Sequence, residues 1–366
     1  MNDMTTIPRR DFICSVGSAA VAAGATVHLA GPSAKAVGSK IKIGQIGAAH
    51  GHAGGKMSTV RKFSDIYEVV GIVEPDPELR RAMDKNDAYK GVPRLTEEQL
   101  LTTKGLQAVA VETAVRDLVP TALRCAEADV HIHLDKPAGE SLTAFKQLLD
   151  ETMRRGRTVQ MGYMFRYNPA LQFLHRALDD GWLGEVFEVD TVMSKTVSAA
   201  DRKQLAGYSG GSMFELGGHV IDAVVSVLGK PDRVTAYARH TRPEKDELAD
   251  NQLAVLEYPE ATATIRVAVI EVEGVQRRQF VVCGDQGTID IRPIEPPTVR
   301  MALSQPRGRF SKGYQDVKLS RLGGRYDGDF IDLAAIIRGE KETDYPVKHD
   351  LIVHETILRA SGVPLN

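Results

Sequence analysis

Short apolar runs alternate with amphipathic stretches through the first half of the chain, and the pattern changes after Gln160. SKIKIGQIG, from Ser39 to Gly47, reads as a strand ending at glycine. Ala53–Phe63 has helical spacing, and YEVVGIV, from Tyr67 to Val73, is a second apolar strand. Leu106–Val111 predicts a third strand, Leu118–Ala128 a helix, Val130–Leu134 a fourth strand and Ser141–Arg155 another helix. Strands alternating with helices predict a parallel sheet covered on both faces. Farther on, Asn168 caps a helix with Pro169 in its first turn, ending at Asp180 before Gly181. Strand-like runs then crowd together at 185–193, 233–239, 252–257, 261–270, 279–283 and 288–291, as in an antiparallel sheet. A helix is predicted from Ser212 to Gly229, a long polar loop over 304–325, and closing helices at Asp327–Arg338 and His349–Ser361.

Length and composition narrow the class. With 366 residues, 43% hydrophobic and 26% charged, the chain has material for two domains and a sizeable core. A net charge of −2 with no dominant basic face argues against a nucleic-acid partner. No internal apolar run is long enough to span a membrane. The first 36 residues combine Arg9-Arg10, a Gly/Ala-rich apolar stretch and Ala34-Lys35-Ala36, which resembles a twin-arginine export signal with a small-x-small cleavage site. The expectation is an exported, periplasmic or extracytoplasmic protein. Cys14 lies in that segment; Cys125 and Cys283 form neither a disulfide framework nor a metal-spaced pair.

Candidate chemistry starts at the end of the first strand. GAAHGH, Gly47–His52, stands between a strand and a helix, where backbone amides and a helix N-terminus can hold a dinucleotide pyrophosphate. The glycine fingerprint is incomplete: Ala49 takes its second place, His52 its third, and Gly51 comes one place early. Glu74 ends the second strand, where a carboxylate accepts from ribose hydroxyls and repels a 2′-phosphate, favouring NAD over NADP. His50 and His52 are unusual in such a loop; they are candidates for contact with phosphate or substrate. A metal pair at their spacing needs further ligands, which the sequence does not announce, so no metal is expected. Thr113 ends the third strand. Lys136 follows the fourth strand directly, in HIHLDKPAGESL, where an ammonium can stabilise charge on, or protonate, a carbonyl oxygen.

These segments resemble the glucose–fructose oxidoreductase and inositol dehydrogenase (Gfo/Idh/MocA) family. Asp135-Lys136-Pro137 is similar to its E-K-P signature, with Asp for Glu. GYMFRYNPA from Gly162, LGEVFEVD from Leu183, GGSMFELGGHVID from Gly210, and DFIDLAAIIRG through LIVHETILRASG follow the family's order. The resemblance covers residues 40–362 and implies an N-terminal Rossmann dinucleotide-binding domain, then an α/β domain with an open, mostly antiparallel sheet that supports dimers or tetramers. The expected division is 37–160, 161–345 and a C-terminal helix, 346–366, packing back on the Rossmann part. The implied chemistry is hydride transfer between a nicotinamide cofactor and a sugar, polyol or cyclitol carbon.

By resemblance His219 matches the catalytic histidine, Glu215 the acid one turn earlier, and Lys136 bridges substrate oxygen and cofactor ribose. Thr113 is placed near the nicotinamide ribose, though Ala114 stands where the family has proline. Asp135 joins the cofactor set. On one helix Glu215, His219 and Asp222 share a face, so Asp222 can orient His219. Arg166 either binds a ligand carboxylate or hydroxyl or holds the interdomain turn; Tyr163 either lines the cleft or packs. Gly217 and Gly218 are expected to clear space for sugar or nicotinamide. Ser212-x-x-Glu215 also fits a capping box, which would leave Glu215 a merely structural role. Two other readings stay open: a glycosidase working by transient NAD oxidation, and a non-catalytic nucleotide-binding protein on the same fold.

Overall fold

β1 (Ile41–Ile46) is buried along nearly its whole length, as an inner strand of a parallel sheet must be. The computed structural model describes residues 39–319 and 323–365; the expected export segment lies outside them. α1 (Ala53–Lys62) carries the chain to β2 (Tyr67–Val73), and two short helices, α2 (Pro77–Met83) and α3 (Glu97–Leu101), lead to β3 (Leu106–Val111). α4 (Val115–Glu127), β4 (His131–Leu134), α5 (Leu142–Arg154) and β5 (Val159–Met161) complete the first layer system. The strand order is β2-β1-β3-β4-β5, all parallel. Strand order reverses between β1 and β3, so their carboxyl ends form the crevice where open α/β sheets take ligands.

The second half is built on an eight-stranded sheet. α6 (Pro169–Asp179) is capped by Asn168, whose side chain accepts from the Ala170 amide. Then come β6 (Val186–Val192), α7 (Ala199–Leu205), α8 (Gly218–Leu228), and the strands β7 (Arg233–Arg239), β8 (Asn251–Glu257), β9 (Thr262–Ala268), β10 (Gln279–Gly284), β11 (Gly287–Ile291), β12 (Val299–Leu303) and β13 (Gly313–Val317). The order is β13-β12-β11-β10-β6-β9-β8-β7; every pair is antiparallel except β6 with β9. Alternate residues of β8 are buried, the period of a sheet with one covered face. α8 covers β6 and β9 and is apolar almost all round, since it is also overlain by the last helix.

α9 (Asp327–Ile337) returns to the first sheet: Phe330 packs edge-on to Tyr67 and against His133, and the Tyr67 hydroxyl donates to the Phe330 carbonyl at 2.6 Å. α10 (Val347–Ala360) lies against both α5 and α8, with His354 on Phe145 at 4.9 Å between ring centroids.

Two expectations need correction. The 304–325 stretch is not all loop, because β13 pairs with β12 across residues 313–317. As an edge strand mostly exposed on both faces, it carries no apolar alternation to read. β12 itself went unread although VRMAL does alternate, with Val299, Met301 and Leu303 turned inward.

Gly47 leaves β1 with φ +90°, and a Cβ there would come within 2.6 Å of the Thr113 backbone nitrogen. Neither backbone has room to yield. Gly47→Ala is therefore expected to lower the free energy of unfolding by at least about 1–2 kcal/mol, measured by denaturant titration.

Candidate active site

The loop after β1 is tied down from three sides. Glu74 at the end of β2 accepts from the Ala48 amide at 2.7 Å and the Asp76 amide at 2.9 Å. The His50 amide donates to the Glu112 carbonyl, beyond the end of β3. Thr113 lies against the Gly47 turn. Among the described residues, no hydrogen bond engages the amides of Ala49 and Gly51, and α1 begins without a side-chain cap or an acidic residue in its first turn. A Cβ at Gly51 would meet nothing within 4 Å. A cavity of about 440 Å³ opens beside this loop, lined by Ala48, Gly51, Gly54, Ser58, Leu79 and Met83 among others. Free amides at an uncapped helix start are suited to phosphate. Glu74's two oxygens keep lone pairs for ribose hydroxyls, so these residues fit a dinucleotide.

Lys136 leaves the end of β4 almost wholly buried, and its ammonium crosses to the second half of the chain. Nζ donates to the Glu215 carbonyl at 2.8 Å and to Glu215 Oε1 at 2.9 Å. The backbone makes this double bond available: Met213–Gly217 form a π turn ahead of α8, which turns the Glu215 carbonyl toward the lysine. Burial raises the Glu215 carboxyl, but the Lys136 ammonium, helped by Lys195, outweighs it and holds the group at about 2. The capping-box reading is thus corrected. Ser212 is already helical, its hydroxyl is bonded to the Ala249 carbonyl, and Glu215 serves the lysine instead.

His219 sits one turn farther on, 2% exposed, against Phe165 at 5.3 Å and facing the His52 ring at 6.2 Å. Burial first, then the fields of Lys136 and His52, push its pKa well below the usual histidine value. Its Nδ1 and Glu215 Oε2 are buried without partners among the described residues. Ammonium, carboxylate and imidazole therefore converge, each with bonding capacity left for a ligand oxygen.

The expected roles of Asp222, Asp135, Gly217 and Gly218 change, and the structure chooses between the alternatives open for Arg166 and Tyr163. Asp222 does not orient His219: it accepts from Arg166 Nε at 3.2 and 3.1 Å, from Nη2 at 2.7 Å, and pairs with His349 Nε2 at 3.0 Å. His219 and Asp222 both lie on α8, but the oxygens of Asp222 are taken by Arg166 and His349. Arg166 does not reach a ligand: it is buried between Asp222 and Asp350, with its guanidinium 3.9 Å from the Tyr345 ring centroid. The bidentate share holds Asp222 low, whereas burial leaves Asp350 raised despite its single bond to the same guanidinium. Tyr163 is packed, not cleft-lining, at 1% exposure, its ring edge-on to His219. Asp135 does not face the nucleotide loop's open side: it is wholly buried and meets Lys56 Nζ at 2.8 Å, His50 Nδ1 at 2.8 Å and His52 Nδ1 at 3.2 Å. Gly217 and Gly218 also make room for protein rather than ligand, since Cβ atoms there would meet Met213 Sδ at 2.6 Å and Ile357 Cδ1 at 3.2 Å.

Lys56 was missed. It lies on the buried face of α1 with Ala53, Met57 and Val60, a placement visible in the helical spacing. Glu112 also accepts from it, at 2.9 Å. Burial and the nearby Asp135 push Glu112 up; His50, Lys56 and His52 overcome burial and hold Asp135 well below the usual carboxylate range. Burial lowers His52 to about 4. Asp135 is thus the ionised partner of the two.

Residues 171–290 match the model of the GFO/IDH/MocA C-terminal domain. Over that segment the chain is similar to the C-terminal domain of the GFO/IDH/MocA family. It is 25% identical over 191 residues to the uncharacterized oxidoreductase YhhX of Escherichia coli, covering 52% of this chain and 54% of that one. It is 24% identical over 198 residues to the trans-1,2-dihydrobenzene-1,2-diol dehydrogenase of Sus scrofa, covering 53% and 57%. The chain thus spans little more than half the length of these curated relatives. In fold it is similar to the aldose-aldose oxidoreductase of Caulobacter crescentus solved with glycerol, at a TM-score of 0.73 and 20% identity, covering 88% of this chain and 98% of that one.

Removing Asp222 takes from the buried Arg166 guanidinium its bidentate partner and leaves only the single bond to Asp350. Asp222→Ala is expected to cost about 3–5 kcal/mol of stability, read by chemical denaturation.

Proposed function

We propose that this chain is a NAD-dependent oxidoreductase moving a hydride between the nicotinamide ring and a CH–OH carbon of a sugar, polyol or cyclitol. The observation that carries the reading is the meeting of Lys136, from the first sheet, with Glu215 and His219, from the second half, beside the amide-lined loop after β1. When bound, NAD would accept the hydride. Loop amides of Ala49 and Gly51, with the start of α1, would hold its phosphates, and Glu74 would take its adenosine ribose. The Glu74 carboxylate favours NAD over NADP by charge.

The residues have separable tasks. Lys136 spends two N–H groups on Glu215; among the described residues the third has no partner, and it would donate to the substrate oxygen. Glu215 keeps that ammonium charged and aimed. His219 is neutral at pH 7, so its imidazole can take the hydroxyl proton as the carbon is oxidised. Phe165 and Tyr163 close off water on its far side. Relatives support this class, one being named a diol dehydrogenase and one structural neighbour an aldose-aldose oxidoreductase.

Export by the twin-arginine route, to the periplasm or beyond, belongs to the same proposal, and implies a retained, recycled cofactor because free NAD is scarce outside the cytoplasm. A homodimer or homotetramer formed through the open sheet is supported by the exposure of Phe187, Tyr237 and Tyr314; a monomeric mass by light scattering would remove it.

Mass spectrometry of protein purified without added cofactor is expected to release NAD; folded protein that neither releases nor binds a nicotinamide nucleotide would overturn the reading. Lys136→Met and His219→Gln are each expected to cut kcat/KM by about 10²–10⁴-fold with the fold intact. Because burial and Lys136 lower His219, protonation should not shut off the base until well under pH 6.5. The expected kcat/KM profile is flat from neutrality down through that pH; an acid limb centred near 6.5 would contradict it.

A further inference from the structure

His50 and His52 come from the β1–α1 loop, and Asp135 from the end of β4. The tautomer of His50 is set by its surroundings. Nε2 lies 3.0 Å from the Lys136 carbonyl oxygen, which can only accept, so Nε2 carries the hydrogen. In the neutral ring Nδ1 is then a bare lone pair. The His52 amide points at it in a long contact of 3.5 Å, as toward an acceptor. Yet Nδ1 stands only 2.8 Å from Asp135 Oδ2, itself an acceptor. The second imidazole converges on the same carboxylate, with His52 Nδ1 3.2 Å from Oδ2 and 3.3 Å from Oδ1. Two lone pairs at 2.8 Å repel unless a cation lies between them, either a proton or a metal ion.

We propose that His50 Nδ1, His52 Nδ1 and Asp135 form a binding site for a divalent transition ion, with Zn²⁺ the first candidate. The three donors lie within 4.8 Å of one another. Tetrahedral ligands at the usual Zn–N and Zn–O lengths stand about 3.3 Å apart, so the two N···O separations, 2.8 and 3.2 Å, lie near what the ion requires. Two imidazoles and one carboxylate suit Zn²⁺ or Fe²⁺ rather than Mg²⁺ or Ca²⁺. The Lys136 carbonyl beyond His50 is the outer acceptor that metal-binding histidines ordinarily have. Asp135 also accepts from the Lys136 amide on Oδ1 and from Lys56 on Oδ2, and a carboxylate has lone pairs enough for these and a metal.

Three protein ligands leave a coordination position open, the mark of a reactive rather than a sealed zinc site. The His52 side chain is 18% exposed, and its ring lies 5.8 Å from that of Tyr326 and 6.2 Å from that of His219. The open position therefore adjoins the candidate cleft, where a water or an alcohol oxygen of the substrate would be the fourth ligand. Asp222, His349 and Asp350 also converge closely enough to hold an ion, but the Arg166 guanidinium already fills that cluster.

The test uses the full chain, stripped with a chelator and titrated with ZnCl₂ by calorimetry near pH 7.5, with Co²⁺ as an absorbing probe. Wild-type protein is expected to bind one equivalent at micromolar Kd or tighter and to give Co²⁺ d–d bands in the visible. Loss of an outer partner alone weakens metal sites about 10–100-fold, so His52→Gln and His50→Gln should each lose about 100-fold or more. His349→Gln should bind like wild type. Circular dichroism checks the fold of each variant. Absence of stoichiometric binding to folded wild type, meaning a proton alone occupies the contact, would overturn the proposal. So would wild-type affinity in either folded histidine variant. Metal content is read without nucleotide, so this result and that of the NAD measurement stand or fall separately.

Discussion

A lysine ammonium taken out of water must have its charge answered, and the pairing of Lys136 with Glu215 depends on that constraint. The ammonium sits at the end of a strand in the first sheet, 1% exposed. Its two acceptors, the Glu215 carboxylate and carbonyl, belong to the turn that starts α8 in the second half. An unpaired ion at this depth would cost several kcal/mol. The same contact that meets this cost also sets α8 against the end of β4, and so brings His219 beside the loop after β1. Stability and site geometry are here one interaction.

Two other cations are buried nearby, and their roles differ. Lys56 binds Asp135 and Glu112 beneath the loop. Arg166 binds Asp222 and Asp350 between the last helix and α8, flanked by Tyr163 and Tyr345. Both have carboxylates as partners and no path to a ligand, so they hold elements together. Lys136 differs in the place of its partner: the Glu215 side chain is 19% exposed and stands one turn before His219, whereas the carboxylates on Lys56 and Arg166 are almost wholly buried.

The β1–α1 loop is where this chain departs most from a plain dinucleotide turn. Imidazoles occupy positions at which a small residue would leave the crevice open, and both place Nδ1 toward Asp135, while His50 also borders the cavity beside α1. The amides of Ala49 and Gly51 carry no hydrogen bond among the described residues, and His52 adds a polar wall next to His219.

The succession of strands and helices was legible in the chain because it rests on local periodicity: β1, β2, β3, α5, α6 and β7 lie where the apolar spacing puts them. So was the change from a parallel to a mostly antiparallel sheet. Gly47, Lys136, Glu215 and His219 could be named from motifs, since each follows a strand end or opens a helix. What the sequence could not supply was partnership. Glu215 read equally well as a cap; Asp222 read as a partner of His219 because the two are three residues apart on one helix, whereas Arg166 and His349, distant in sequence, take its oxygens. Lys56, Glu112 and Asp135, or Arg166, Asp222, His349 and Asp350, lie far apart along the chain and carry no shared pattern. Buried charges choose partners by distance and desolvation, quantities that exist only after the two sheets have packed.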